Sequence, residues 1–299
     1  MYDIICDMTK QENHTYDEYV QKIINSNDLL KGLTYEKINA GFTNTIYKVG
    51  NYIIRICTDE KNETRFKNEI DFYNKNKDND KIPKLYYYDL SKDIVPYYYE
   101  ITEYIKGETL YQIWYKLNNE EKKEIIIKII EILKTFHSKK VNEYDYKEFI
   151  KNKIKELNIN DDSIIKLLDL CDKYFEENKF GIVHADLHFD NFIYNNGILK
   201  LIDFERYVEA PIDYDFRIFY QCEEEPWLWA SGETDMLTVE SDYEGFMQMF
   251  IDNYDELKNI KYLKERLEVY KIIDILQKYK HSNNEIYLQK VKRMINELK

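Results

Sequence analysis

Apolar positions along the chain follow two rhythms, and the change of rhythm divides it. From residue 35 to 56 apolar and polar residues alternate in short runs, which predicts three antiparallel strands joined by turns at 40–44 and 50–51. Two further strands are expected at 83–89 and 96–105. A helix at 63–75 lies between, with Phe66, Ile70 and Tyr73 as its apolar face. A short helix at 15–25, capped by Thr15, precedes them all. Beyond Lys106-Gly107 the apolar spacing becomes three and four residues. Ile125, Ile126, Ile129, Ile130 and Leu133 mark a helix at 119–136, and others are expected at 146–156, 162–176, 241–255, 263–280 and 284–298. The pattern predicts an α+β chain of two lobes. Residues 1–105 form a small lobe with an antiparallel sheet and a helix, and residues 106–299 a larger, mainly helical one.

One stretch of the second lobe interrupts the helical rhythm. Gly181-Ile182-Val183 and Phe192-Ile193-Tyr194 are apolar strands around a polar loop, His184-Ala185-Asp186-Leu187-His188-Phe189-Asp190-Asn191. A third apolar strand, from residue 199, ends on Asp203. His-x-Asp-x-x-x-x-Asn followed by Ile-Asp-Phe suits phosphoryl transfer. Asp186 would lie near an acceptor hydroxyl and take its proton, while Asn191 and Asp203 offer the oxygen donors that Mg2+ prefers. His184 is expected to brace the loop. His137 is expected to be structural rather than catalytic. A calcium-type site or a merely polar hairpin is the plainer alternative.

In the first lobe, the turn with Gly41, Thr43 and Asn44 can lay its backbone and side chains over phosphates, although one Gly between strands commonly marks only a hairpin. Arg55 shares a strand face with Ile53 and Cys57, so it needs an anion, either Glu69 of the next helix or a phosphate. A surface ion pair accounts for the same residues if the loop motif is set aside.

Charge changes the picture in one region. The net charge is −13, which argues against nucleic acid as a partner, and residues 203–258 carry that entire excess, with sixteen acids against three bases. There Glu223, Glu224 and Glu225 precede Trp227 and Trp229. Clustered carboxylates attract a polycation and indoles a quaternary ammonium. A solvated acidic face beside core tryptophans is the alternative. No apolar run approaches the roughly 20 residues of a membrane span, and no leader is visible, so no membrane partner is expected. Cys6, Cys57, Cys171 and Cys222 form no C-x-x-C pair, which suggests free thiols in a reducing cytoplasm.

The loop with Ile202-Asp203-Phe204-Glu205 resembles the catalytic signature of the aminoglycoside phosphotransferase and choline kinase superfamily, the small-molecule branch of the protein-kinase-like fold. Gly41-Phe42-Thr43-Asn44, Tyr52-Ile53-Ile54-Arg55, Glu103-Tyr104-Ile105-Lys106-Gly107 and Tyr214-Asp215-Phe216 are similar to its further motifs, so the likeness spans nearly the whole chain. The resemblance implies a bilobal protein-kinase-like fold that uses ATP with Mg2+. GTP stays open as a donor, because the base is met by backbone groups. It implies Asp186 as base, Asn191 and Asp203 as magnesium ligands, and Arg55 paired with Glu69 at the α- and β-phosphates. Glu103 and Ile105 would lie at the adenine, and Asp215 under the catalytic loop. The expected acceptor is a hydroxyl-bearing cation met by Asp190, Glu205, Glu223, Glu224, Glu225, Trp227 and Trp229. An aminoglycoside comes first, with choline, ethanolamine or homoserine, or a non-catalytic binder, as alternatives. Two departures from the pattern are Arg55 in place of the usual Lys, a fork instead of a point donor, and Glu205 where protein kinases carry Gly.

Overall fold

The computed structural model describes residues 9–38, 44–229 and 238–298, and the chain divides into two compact units. The first is Met1–Gly107 with Asn195–Arg206, and the second is Glu108–Tyr194 with Tyr207–Lys299. A single cut in the sequence does not anticipate this return of residues 195–206, which bring Asp203 to the first unit.

In the first unit α1 (Thr9–Ser26) leads into β1 (Tyr35–Ile38), β2 (Thr45–Val49) and β3 (Tyr52–Ile56). There follow α2 (Glu63–Lys75), β4 (Leu85–Asp89) and β5 (Tyr99–Glu103). The five strands form one antiparallel sheet in the order β1-β2-β3-β5-β4. Helix α1 begins upstream of the expected Thr15 cap, while α2 has the span its periodicity predicts. Alternation decides what each sheet face buries. Ile54 and Ile56 of β3 join Tyr47, Val49, Tyr99 and Ile101 against Val20, Ile23 and Ile24 of α1. Cys57 packs instead with Phe66 and Ile70 of α2. Arg55 follows the parity of Cys57, and its guanidinium lies over the Phe66 ring at 5.6 Å. The polar residue of an apolar strand is thereby turned toward α2.

The second unit opens with β6 (Glu108–Thr109), α3 (Leu110–Trp114), α4 (Asn119–His137), α5 (Tyr146–Glu156) and α6 (Asp162–Tyr174). Next come β7 (Phe180–Val183) and β8 (Phe192–Asn195); β9 (Ile198–Leu201) belongs to the first unit. After β10 (Val208–Pro211) the chain runs through α7 (Phe216–Cys222), α8 (Phe246–Asn253), α9 (Asp255–Lys258), α10 (Leu263–Ser282) and α11 (Glu285–Glu297). Helix α4 starts at a capping box between Asn118 and Glu121, and its isoleucine stripe is buried. Helices α3 and α7 are too short for periodicity to reveal. The single helix expected at 241–255 is broken. Gly245 takes φ +71°, and a left-handed residue cannot continue a right-handed helix, so α8 starts only at Phe246 and α9 follows separately. Tyr243, Phe246, Met247, Phe250 and Tyr254 are buried all the same.

Strand β7 pairs antiparallel with β10, Val183 opposite Val208 and Phe180 opposite Pro211. A Cβ at Gly181 would sit 2.6 Å from the His137 carbonyl oxygen, so only glycine lets β7 pass the end of α4. This close passage places His137 beside the start of the 184–191 loop.

Candidate active site

The loop after β7 is held from beneath by one carboxylate. Asp215, brought to the loop by the β7–β10 pairing, accepts from the Ala185 N–H through Oδ1 at 2.8 Å and from the His184 N–H through Oδ2 at 3.1 Å. Its Oδ2 also meets His137 Nε2 at 2.9 Å, and His137 Nδ1 meets the Tyr254 hydroxyl at 2.9 Å. His137 is thus a buried structural link between α4, α7 and the end of α8. Clamped this way, Ala185 adopts φ +63°, which is costly for a residue with a Cβ and is found where surroundings over-determine the backbone. His184 is buried and its Nδ1 accepts from the Asp186 N–H at 3.3 Å, so it braces the loop. Asp186 is half-buried. Asn191 donates through Nδ2 to the Asp186 carbonyl at 2.9 Å and lies 3.2 Å from His188 Nε2. Both amide hydrogens are directed into the loop, which leaves Oδ1 as the atom suited to a cation.

The first unit gathers a second group of charges around Arg55. Strand pairing puts Glu100 directly opposite it. Its Nη1 lies 2.5 Å from Glu69 Oε2, 3.5 Å from Asp203 Oδ1 and 4.0 Å from Glu100 Oε1, and its Nη2 donates to Glu205 Oε2 at 3.1 Å. Burial opposes the Arg55 charge, but Glu69, Asp203, Glu100 and Glu205 outweigh it and hold the guanidinium above its ordinary pKa. Four carboxylates face the Arg55 guanidinium, and even with Arg206 4.0 Å from Glu205 negative charge is in surplus there. Burial and mutual repulsion push the Glu69 and Glu205 carboxyls up, and Glu100 to about 7. Glu69 Oε1 accepts from the Phe204 N–H and from the Tyr73 hydroxyl, each at 3.1 Å. The Phe204 ring stacks on Phe72 at 3.9 Å, and Asp203 takes φ +67°. Three buried oxygens, Glu69 Oε2, Glu100 Oε2 and Asp203 Oδ1, have no aligned hydrogen-bond donor among the described residues. The first is close to Arg55 in distance without the geometry of a hydrogen bond.

Oxygen donors beside an anionic surplus fit a hard divalent cation better than a soft one. Among the described residues no three His, Cys, Asp or Glu side chains form a ready metal cage. A donor set of one or two side chains matches Mg2+, which keeps most of its positions for water and phosphate oxygens. Asn191 in the second unit and Asp203 in the first each carry a donor oxygen of that kind.

Comparison with known proteins now decides the family. The model of the phosphotransferase enzyme family matches residues 34–258. The chain belongs to that family. Among solved structures it is similar to the ADP-bound aminoglycoside phosphotransferase APH(2'')-Ib, with 16% identity, TM-score 0.62, and 92% of this chain and 96% of that one covered. It is also similar to the streptomycin–ATP complex of APH(2'')-IIa (18% identity, TM-score 0.62, 93% and 95% covered) and to the GDP and kanamycin complex of APH(2'')-IIIa (15% identity, TM-score 0.63, 94% and 97% covered). No curated protein matches it in sequence. The fold is therefore the protein-kinase-like one, and family membership makes the protein a phosphotransferase.

The remaining expected site residues of this phosphotransferase are distributed unevenly. Gly41 and Thr43 lie outside the described residues; Asn44 precedes β2. Glu103 at the end of β5 is bound by Lys200 Nζ at 2.9 and 2.7 Å and accepts from the Lys84 N–H, and Ile105 lies in the extended segment that follows. Asp190 accepts from Thr109 Oγ1 at 3.1 Å, and Thr109 also caps α3. Glu205 is drawn to Arg55, a different group from the acidic stretch with which its charge had placed it. That stretch is held by partners elsewhere in its own unit. Glu223 accepts from the Gly245 N–H at 2.9 Å, Glu224 pairs with Lys271 at 2.5 Å, and Glu225 with Lys290 at 3.3 Å. Trp227 is 45% exposed, and Trp229 ends a short 3-10 turn. Glu100 escaped sequence reasoning, although an acid set between the apolar Tyr99 and Ile101 of a strand was a signal for it.

Proposed function

We propose that this phosphotransferase moves the γ-phosphoryl group of ATP, used with Mg2+, onto a hydroxyl of an amine-bearing small molecule, an aminoglycoside-type polycation first. The observation that carries the reading is the clamped loop, in which Asp215 and Asn191 fix the backbone on either side of a half-buried Asp186. In the transfer a bond forms between the acceptor oxygen and the γ-phosphorus while the bridging bond to ADP breaks. The acceptor proton passes to the Asp186 carboxylate. Arg55, oriented by Glu69, binds the α- and β-phosphates, and residues 103–105 meet the base through backbone groups, which leaves room for GTP. Asn191 and Asp203 would hold the cation, which when bound would offset phosphate charge. Turnover of this kind belongs in the cytoplasm, where ATP is supplied, and needs neither nucleic acid nor a membrane; no helix among the described residues is long and apolar enough to cross one.

The polycationic acceptor is supported by the kanamycin and streptomycin named for the similar solved structures, together with Asp190 and the exposed Trp227. A smaller amino alcohol, such as choline, ethanolamine or homoserine, is the second reading. The ion pairs that neutralise Glu224 and Glu225 favour it, since they reduce the charge left for a polycation. ADP release measured with ATP, Mg2+ and an acceptor panel tests both readings, and turnover of neutral or anionic alcohols alone would reject them. Asp186→Ala is expected to lower turnover by about 10²–10⁴-fold while leaving nucleotide binding intact. Retained turnover would mean that another group is the base.

A further inference from the structure

The second histidine of the loop, His188, takes no part in the clamp or in the transfer, yet the fold fixes its place. Residues 189–191 make one 3-10 turn with His188 as its N-cap, and the Asn191 N–H donates to the His188 carbonyl at 3.0 Å. Side chains three apart in such a turn lie over one another, so those of His188 and Asn191 meet. Phe189 between them anchors the turn. Its buried ring lies 4.6 Å from Trp114, 5.6 Å from Phe219 and 5.3 Å from Phe246.

The bonds of the Asn191 amide decide how both side chains are oriented. The Asp186 carbonyl only accepts, so the amide atom 2.9 Å from it is the nitrogen, Nδ2. The same Nδ2 lies 3.2 Å from His188 Nε2. An amide nitrogen carries two hydrogens and accepts nothing. Nε2 is therefore the accepting nitrogen of the ring, and the ring hydrogen belongs on Nδ1. One N–H bond leaves an amide free to turn about the line of that bond. Two bonds in different directions fix its plane, and with it the direction of Oδ1. Asn191 is 5% exposed, so the second acceptor has to come from the protein.

We propose that His188 is a positioning residue, which accepts the second Nδ2 hydrogen of Asn191 through Nε2 and so aims Oδ1 at the cation. The inference rests on the reading of Asn191 as a cation ligand and adds the group that orients it. His188 acts through Asn191 alone. An imidazole lone pair does this without placing a further negative charge in the loop.

The test is titration calorimetry of ADP into the full-length protein, once with EDTA and once with saturating Mg2+. The proteins are the wild type, His188→Leu, His188→Gln and Asn191→Ala. Leu removes the acceptor, whereas Gln puts an amide oxygen at about the reach of Nε2. Affinity in EDTA and the thermal midpoint are expected to stay at their wild-type values. The factor by which Mg2+ strengthens ADP binding is expected to fall about tenfold in His188→Leu and to stay within about threefold of wild type in His188→Gln. Asn191→Ala is expected to lose at least as much as His188→Leu. An undiminished Mg2+ effect in His188→Leu overturns the proposal. So does a His188→Gln protein as weak as His188→Leu, which would make the ring's packing the cause. Equal losses in EDTA and in Mg2+ overturn it too, because His188 would then support only the turn. Asn191→Ala separates the two readings. If it keeps the full Mg2+ effect, Asn191 is no ligand and both readings fall. If it loses the effect while His188→Leu does not, only the role of His188 falls.

Discussion

Two buried arginines, one in each unit, show how differently a folded chain can treat the same side chain. Arg266 of α10 makes a matched set. Its Nε and Nη2 donate to the two oxygens of Asp213 at 2.7 and 2.8 Å, Nη1 to the carbonyls of Tyr174 and Glu177, and Nη2 also to Asn178 Oδ1. The Tyr270 hydroxyl adds a donor to Asp213 at 3.0 Å. One cation meets one anion, and the five N–H groups of a guanidinium meet five acceptors. Arg55 of β3 faces four carboxylates, several of them with oxygens that no donor satisfies. A complete pair gives the fold a rigid joint between α10 and the segment before α7. An over-supplied one leaves negative charge unneutralised, which is what the proposed cation site would require.

The comparison breaks most readily at Arg266. Arg266→Met strands Asp213 in the interior, and urea unfolding should show a loss of about 3–5 kcal/mol. A loss below about 1 kcal/mol would mean that the pair contributes little. Arg55→Met should have the opposite profile. The carboxylates around it can take up protons, so less stability is lost, whereas affinity for ADP with Mg2+ falls at least about tenfold because a charge-assisted phosphate contact is gone. Equal nucleotide affinity in that variant would place Arg55 with Arg266 as a structural residue.

The smallest effect is in the pH dependence. Glu100 has its carboxyl raised from the ordinary 4.5 to about 7 by burial, and Glu69 and Glu205 move in the same direction. A raised carboxyl binds its proton more tightly in the native state than in the unfolded one. Its contribution to stability is therefore complete below about 4.5 and is lost as pH rises to about 7. Unfolding free energy measured across that window should decline, and Glu100→Gln should flatten the decline. An unchanged slope in Glu100→Gln would show that Glu100 does not carry the surplus charge.

Much of the fold was legible because it depends on local rhythm. The isoleucine stripe of α4 and the alternation of β3 dictate buried faces whatever lies opposite them, and α2 and α5 occupy their predicted spans. The 241–255 helix was misread because its apolar spacing continues through Gly245, whose left-handed backbone splits it. The family was legible for a related reason: its signature is a few residues at fixed spacing in one loop, and that spacing is a sequence property. Partners were not. Residues 203–258 hold the whole excess of acid, and from the sequence this looked like a field for a cation. In the structure Asp213, Glu224 and Glu225 are met by Arg266, Lys271 and Lys290 from α10 and α11, far along the chain.

By itself, then, the sequence determined the two kinds of secondary structure, the loop that carries Asp186 and Asn191, and the family to which the chain belongs. Periodicity and motif spacing are read between neighbours along the chain. Only the tertiary structure decided which charges are neutralised and which remain. It set Glu100 opposite Arg55, drew Glu205 into the same group and closed the Arg266 pair. Those outcomes depend on which side chains meet across strand pairings and helix packings, where a carboxylate with a partner and one without differ by several kcal/mol yet look identical in sequence.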